Sequence, residues 1–155
     1  MELSDEIVIN ASRQEVYTAI NNPEVLKRCI PGCEELIQVS PTEFDAKVVL
    51  RIGPVKARFG GNVTLDPTGA PGALGLTGQG KGGAAGFVKG GADVTLTEVE
   101  DGTRLAYTAK VDVGGKIAQL GSRLIKGTAA KLSGKFFSAL AAEFADSPVG
   151  SSALP

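Results

Sequence analysis

The stretch Lys116-Ile117-Ala118-Gln119-Leu120-Gly121-Ser122-Arg123-Leu124-Ile125-Lys126-Gly127-Thr128-Ala129-Ala130-Lys131-Leu132-Ser133-Gly134-Lys135-Phe136-Phe137-Ser138-Ala139-Leu140-Ala141-Ala142-Glu143-Phe144-Ala145 decides the fold. Leu120, Leu124, Thr128, Leu132, Phe136, Leu140 and Phe144 recur at every fourth position. Side chains at that spacing form one ridge of a helix. A helix over 116–145 would run about 45 Å at ~1.5 Å per residue, long enough to cross a small domain. The ridge drifts about 40° per step at ~3.6 residues per turn, so the helix is expected to cross its support obliquely.

Upstream of this stretch the period changes from four to two. Glu2 to Asn10 reads as a first strand, with Ile7 and Ile9 on one face. Ser12-Arg13-Gln14-Glu15 is a capping box opening a short helix whose apolar side is Val16, Ala19 and Ile20. Asn22-Pro23 ends it and opens a second short helix carrying Val25 and Leu26. After the break at Cys29-Ile30-Pro31-Gly32-Cys33 come strands: Glu35 to Val39, then Phe44, Ala46, Val48, Leu50 and Ile52, then Val55, Ala57, Phe59, Gly61, Val63 and Leu65, each apolar set alternating with mostly polar neighbours. Ala73 to Lys81 is a weaker, glycine-rich strand. Phe87 to Val99 is another, with a bulge expected at Gly90-Gly91. Asp101-Gly102 signals a hairpin, and Leu105, Tyr107, Ala109, Val111 and Val113 make the last strand. The order β-α-α-β-β-β-β-β-β-α with short connections implies an α+β domain, a curved antiparallel sheet of about seven strands around the long helix. One domain over 1–145 is expected, followed by a flexible tail at 146–155.

Composition narrows the function. Sixteen basic and 17 acidic side chains nearly cancel, so no basic excess points to nucleic acid. Trp is absent and aromatics are few, which removes stacking platforms. No run approaches the ~18 apolar residues of a membrane span, and the acidic start lacks a secretory signal, so a cytoplasmic chain is expected. Histidine is absent, which removes the commonest general base and metal ligand. Cys29 and Cys33 form C-x3-C, half a zinc site at most, with no other Cys or His to complete it; buried thiols are the plainer reading. Glu15, Glu34, Asp45 and Tyr107 form no recognisable catalytic constellation, although Tyr107 falls on the inner face, where its hydroxyl needs a partner or a ligand. Gly78-Gln79-Gly80-Lys81-Gly82-Gly83 departs from a phosphate loop because Gly follows the lysine. These glycines read as strand bends or as a gate over a cavity. Gly127 and Gly134, seven apart in the long helix, weaken it by ~1 kcal/mol each; close approach or space for a ligand would explain them, as would tolerated weakness. Lys116, Arg123, Lys126, Lys131 and Lys135 make the helix basic: a solvated face, or a docking patch for an acidic partner or anionic headgroups.

The element order resembles the helix-grip fold of the START-like (SRPBCC) superfamily. Cys29-Ile30-Pro31-Gly32-Cys33-Glu34, Gly53-Pro54-Val55-Lys56-Ala57-Arg58-Phe59, Ala118-Gln119-Leu120-Gly121-Ser122-Arg123-Leu124-Ile125 and the Phe136-Phe137 pair resemble the CoxG-like proteins of carbon monoxide dehydrogenase systems from about Glu2 to Phe144. The resemblance implies a non-enzymatic accessory protein of a molybdenum-containing carbon monoxide dehydrogenase or related hydroxylase, serving its maturation or its recruitment to the inner face of the cell membrane. It also implies a sheet–helix cavity for an apolar small molecule, a lipid or quinone. Many relatives carry a Pro/Ala-rich linker and an apolar C-terminal anchor, a pattern this sequence leaves at Pro155. No metal or cofactor is expected. From inward phase and fold analogy, Leu26, Ile30, Phe59, Leu76, Phe87, Leu124, Leu132 and Phe136 are the expected ligand-binding residues. A polyketide cyclase or aromatase on the same fold, and a stand-alone lipid carrier, are the alternatives; nearly all inward positions are apolar, which weighs against an enzyme.

Overall fold

The computed structural model describes residues 1–145. The expected tail at 146–155 lies outside the described residues. The elements are β1 (Glu2–Ile9), α1 (Arg13–Ile20), α2 (Pro23–Cys29), β2 (Cys33–Ser40), β3 (Glu43–Ile52), β4 (Val55–Asp66), β5 (Ala73–Lys81), β6 (Phe87–Val99), β7 (Gly102–Gly114) and α3 (Ser122–Ala142), with single 3-10 turns at Gly83–Ala85 and Lys116–Leu120. The seven strands form one sheet in the order β1-β7-β6-β5-β4-β3-β2, antiparallel throughout. β1 and β2 are the two edges, because the chain leaves β1 through α1 and α2 before starting the hairpin series. This is the helix-grip arrangement.

Local chemistry explains the two short helices. The Ser12 hydroxyl accepts from the Glu15 amide at 3.1 Å, and Glu15 Oε1 accepts from the Ser12 amide at 3.1 Å, so two free helix-end donors are satisfied at once. Asn22 caps α2 by accepting from the Glu24 amide at 2.9 Å, with Pro23 in its first turn. Ile30 is extended ahead of Pro31, which ends the helix.

Alternation fixes what each strand buries. Ile9, Phe44, Leu65, Leu74, Val94, Leu96 and Leu105 converge with α1, α2 and Leu140 of α3 into one core at one end of the concave face. Ile52, Phe59, Ala85 and Ile117 form a smaller core at the other end. Thr103 is fully buried in the first region and donates from Oγ1 to the Ala11 carbonyl at 2.8 Å, satisfying both groups.

Two expectations need correction. The long helix does not run over 116–145. Lys116–Leu120 is a 3-10 turn, Gly121 takes φ +97°, and the α-helix starts at Ser122 and ends at Ala142. The left-handed backbone at position 121 is what glycine permits, and it breaks the ridge between Leu120 and Leu124. Nor is there a bulge at Gly90-Gly91: both residues keep continuous register with β5 and β7. The register shifts lie instead in edge strand β2, between Cys33 and Glu35 and between Gln38 and Ser40. Such irregularity blunts an edge against further strand pairing.

Candidate functional site

A cavity of about 360 Å3 lies between the sheet and the C-terminal half of α3. Leu26, Ile30 and Pro31 close it from the α2 side, and Leu132, Ser133, Phe136 and Phe137 roof it. Phe44, Val63, Leu76, Ala92, Val94, Leu105, Tyr107 and Ala109 form its floor. All of its lining is apolar apart from the hydroxyls of Tyr107 and Ser133. The Tyr107 ring stacks on Phe137 at 4.6 Å between centroids and 20° between planes, and Phe137 meets Phe136 edge-on at 5.0 Å. This aromatic set fixes where the roof sits on the floor.

A second hollow of about 390 Å3 adjoins it along the concave face. The two share Val63, Leu76, Ala92 and Ala109. Every residue lining the second hollow lies on a strand, so it is an open trough rather than a closed chamber. Its depth comes from missing side chains. Gly61, Gly78 and Gly90 occupy inward positions next to Ala46, Ala92 and Ala109. Gly61 and Gly90 are also required by close approach: a Cβ would collide with the Gln79 carbonyl at the first and the Lys110 carbonyl at the second. α3 crosses the open side without lining the trough. Leu124 reaches the β3–β4 turn, where a Cβ on Gly53 would stand 2.8 Å from its Cδ2, and Ile125 borders a groove with Val111 and Val113.

Of the eight residues expected to bind a ligand, Leu26, Ile30, Leu76, Leu132 and Phe136 come together around the cavity under α3. Phe59 lines the trough, as does Leu76. Phe87 and Leu124 line neither. Phe87 is 42 % exposed: Val88 takes the inward position, and the Phe87 ring covers Gly114 on the outer face. Leu124 is 38 % exposed: the ridge's drift of about 40° per step turns it away from the side of α3 on which Phe136 packs. Gly78 and Gly80 lie in β5 beneath the trough, with Gly90 and Gly91 beside them in β6, whereas Gly82 and Gly83 lie in the β5–β6 connection. Ser133 was not expected at the site. Its signal was weak but present, since it stands one residue after Leu132 and three before Phe136, on the side of the helix that packs.

The family model for the carbon monoxide dehydrogenase G subunit (CoxG) matches residues 6–145. The chain belongs to the CoxG family. This CoxG-family chain is also similar to a conserved protein of Geobacillus kaustophilus, with 30 % identity over 95 % of this chain and 97 % of that one and a TM-score of 0.87. It shares its fold with a START superfamily protein of Mycobacterium smegmatis (13 % identity, 92 % and 95 % covered, TM-score 0.68). It shares it also with the ZhuI aromatase/cyclase of Streptomyces sp. R1128 (9 % identity, 92 % of each chain covered, TM-score 0.69). No curated protein matches in sequence. Family and fold together point to a ligand-binding accessory protein.

Charge in this CoxG-family chain is kept at the rim. Arg28 of α2 donates to both carboxylate oxygens of Glu143, at 3.1 and 2.7 Å, joining the cavity's α2 wall to the end of α3. Those hydrogen bonds hold the Glu143 carboxyl below its ordinary range. Arg58 holds Glu34 down in the same way at 2.7 Å, out on the β4–β2 surface. Cys29 is buried against the main core, and burial pushes its thiol up, with Glu143 adding to the effect. Burial also raises Cys33, against a backbone hydrogen bond at Glu35 and the charge of Lys27, which favour the thiolate. Its Sγ donates to the Glu35 carbonyl at 3.4 Å. Both thiols are therefore shifted toward the protonated form. Among the described residues, no group of three or more Cys, Asp or Glu side chains is placed to hold a metal. Glu15 is engaged in its cap and Glu34 in its ion pair, and neither approaches Tyr107's cavity.

Proposed function

We propose that this chain is a non-enzymatic accessory protein of a molybdenum-containing carbon monoxide dehydrogenase or related hydroxylase, and that it carries an apolar small molecule, a lipid or quinone, between its sheet and α3. One observation carries the reading: an apolar cavity roofed by α3 continues into an open apolar trough, and each has the size of a small-molecule site. Empty volume of this kind weakens a core, because the lining atoms lose their packing partners. An occupant restores them. The link to a molybdenum enzyme rests on family membership.

Recruitment to a membrane would act through the outer side of α3. Arg123, Lys126, Lys131 and Lys135 are exposed there, and no acidic side chain lies between Ser122 and Ala142. A basic face of this kind is drawn to anionic lipid surfaces. Among the described residues no helix is long and apolar enough to cross a membrane. The cyclase alternative rests on fold likeness alone, and the cavity offers it only two hydroxyls.

Native mass spectrometry of protein purified gently from its own cells tests the carrier. A stoichiometric quinone or lipid, released on denaturation, is the expected result. A bare protein mass that stays unchanged when quinones and lipids are added overturns it. Recovery of a molybdenum hydroxylase with the tagged protein from native lysate tests the partner.

A further inference from the structure

We infer that the cavity selects an elongated amphiphile with an uncharged oxygen at one end, which the Tyr107 and Ser133 hydroxyls bond while its apolar body lies along the glycine floor. This rests on the carrier reading above and adds the chemical class and direction of the cargo.

Length is set by the floor. Val94 and Ala92 line the roofed cavity, and Ala92, Gly90 and Val88 line the trough, all on the inward face of β6. From Val94 to Val88 is about 20 Å at ~3.4 Å per strand residue. Neighbouring strands leave the same path clear: Gly78 lies opposite Val63 and Gly90, and Gly90 lies opposite Val111. A continuous groove of small residues fits a chain-like or flat body rather than a round one.

Polarity is set at one end. No lining residue of the roofed cavity is acidic or basic. Lys89, which borders the trough, alternates to the outer face and shares a depression there with Asn62, Gln79 and Asp112. A carboxylate or phosphate under the α3 roof would thus lack a counter-charge, and drawing it out of water would be unfavourable. The two hydroxyls remain. Neither is engaged in a side-chain hydrogen bond among the described residues, and neither is sealed from space, since no buried side-chain polar atom lacks a partner. Stacking on Phe137 holds the Tyr107 ring and so aims its hydroxyl. A donor fixed in an apolar chamber recognises a carbonyl or hydroxyl oxygen, and discriminates against a ligand that has none.

The experiment compares three probes of equal chain length, a long-chain methyl ketone, the matching alkane and the matching fatty acid at neutral pH, by displacement of a bound apolar fluorophore. The ketone is expected to bind at least tenfold more tightly than either other probe. Tyr107→Phe keeps the ring stack, and is expected to cut the ketone-over-alkane preference about tenfold, the size of one hydrogen bond. Ser133→Ala is expected to cut it severalfold. A ketone-over-alkane ratio that both variants leave unchanged, or a fatty acid that binds as tightly as the ketone, overturns this inference while the carrier reading stands. Failure of all three probes to displace the fluorophore overturns both.

Discussion

Leu124 and Leu140 sit on one four-residue ridge of α3, yet Leu140 is wholly buried and Leu124 is 38 % exposed. The C-terminal half of the helix presses Phe136, Phe137 and Leu140 into the main core. The N-terminal half rides over an open trough, touching the β3–β4 turn through Leu124 and bordering β7 through Ile125. A four-residue ridge drifts about 40° per step, so from Leu124 to Leu140 it turns by about 160° and the two side chains leave the helix on nearly opposite sides. The band of glycines under the N-terminal half adds to the difference by lowering the floor there.

The largest effect should separate the two halves. Leu140→Ala is expected to lose about 2–5 kcal/mol in urea unfolding, the range for a large core side chain cut to Ala, whereas Leu124→Ala should lose well under half of that. Comparable losses would show that the first turns of α3 are packed after all. Smaller but of opposite sign, Gly127→Ala and Gly134→Ala should each stabilise by about 1 kcal/mol, because a Cβ at either position meets nothing within 4 Å. A destabilisation at Gly127 would reveal a surface that comes to rest on the outer side of the helix. Ser12→Ala should cost about 1 kcal/mol through the lost capping box, with no change in binding of an apolar fluorophore. A change in that binding would tie α1 to the cavity.

Acidity probes the rim and should give the smallest effect. The folded Glu143 carboxyl sits below its ordinary value of 4.5 because Arg28 bonds it. A group with a depressed folded pKa contributes fully above the unfolded value and loses its contribution as pH falls through the folded one. The stability gap between wild type and Glu143→Gln should therefore be full at neutral pH and close in the acid range below 4.5. A constant gap across that range would mean that the pair adds no charge-dependent stability, the common case for exposed ion pairs.

Much of this was legible in the sequence, for specific reasons. Alternation placed Phe44, Val63, Leu76, Tyr107 and Ala109 inward, because a half-buried strand must show its period. The capping box placed α1 because its hydrogen bonds are local. The break at Gly121 was hidden by the run of apolar residues at four-residue spacing, although Gly followed by Ser is a plausible junction between two helical pieces. Phe87 is out of phase with Val94 and Leu96, whose burial further along β6 marks its inward positions. The trough was least legible. A glycine in a strand signals that a side chain is missing, but only the register across β4, β5 and β6 shows that several absences fall together.

That coincidence makes the protein's own melting curve a gauge of its cargo. A ligand that binds only the folded chain raises the unfolding free energy in proportion to the logarithm of its free concentration, by about 2.7 kcal/mol at a hundred times its dissociation constant. In a domain of this size that is a shift of several degrees. Freshly isolated protein should then melt in two populations, loaded and empty, and extraction with solvent should merge them. On the carrier reading, the glycine floor couples how long the chain survives to whether it is loaded.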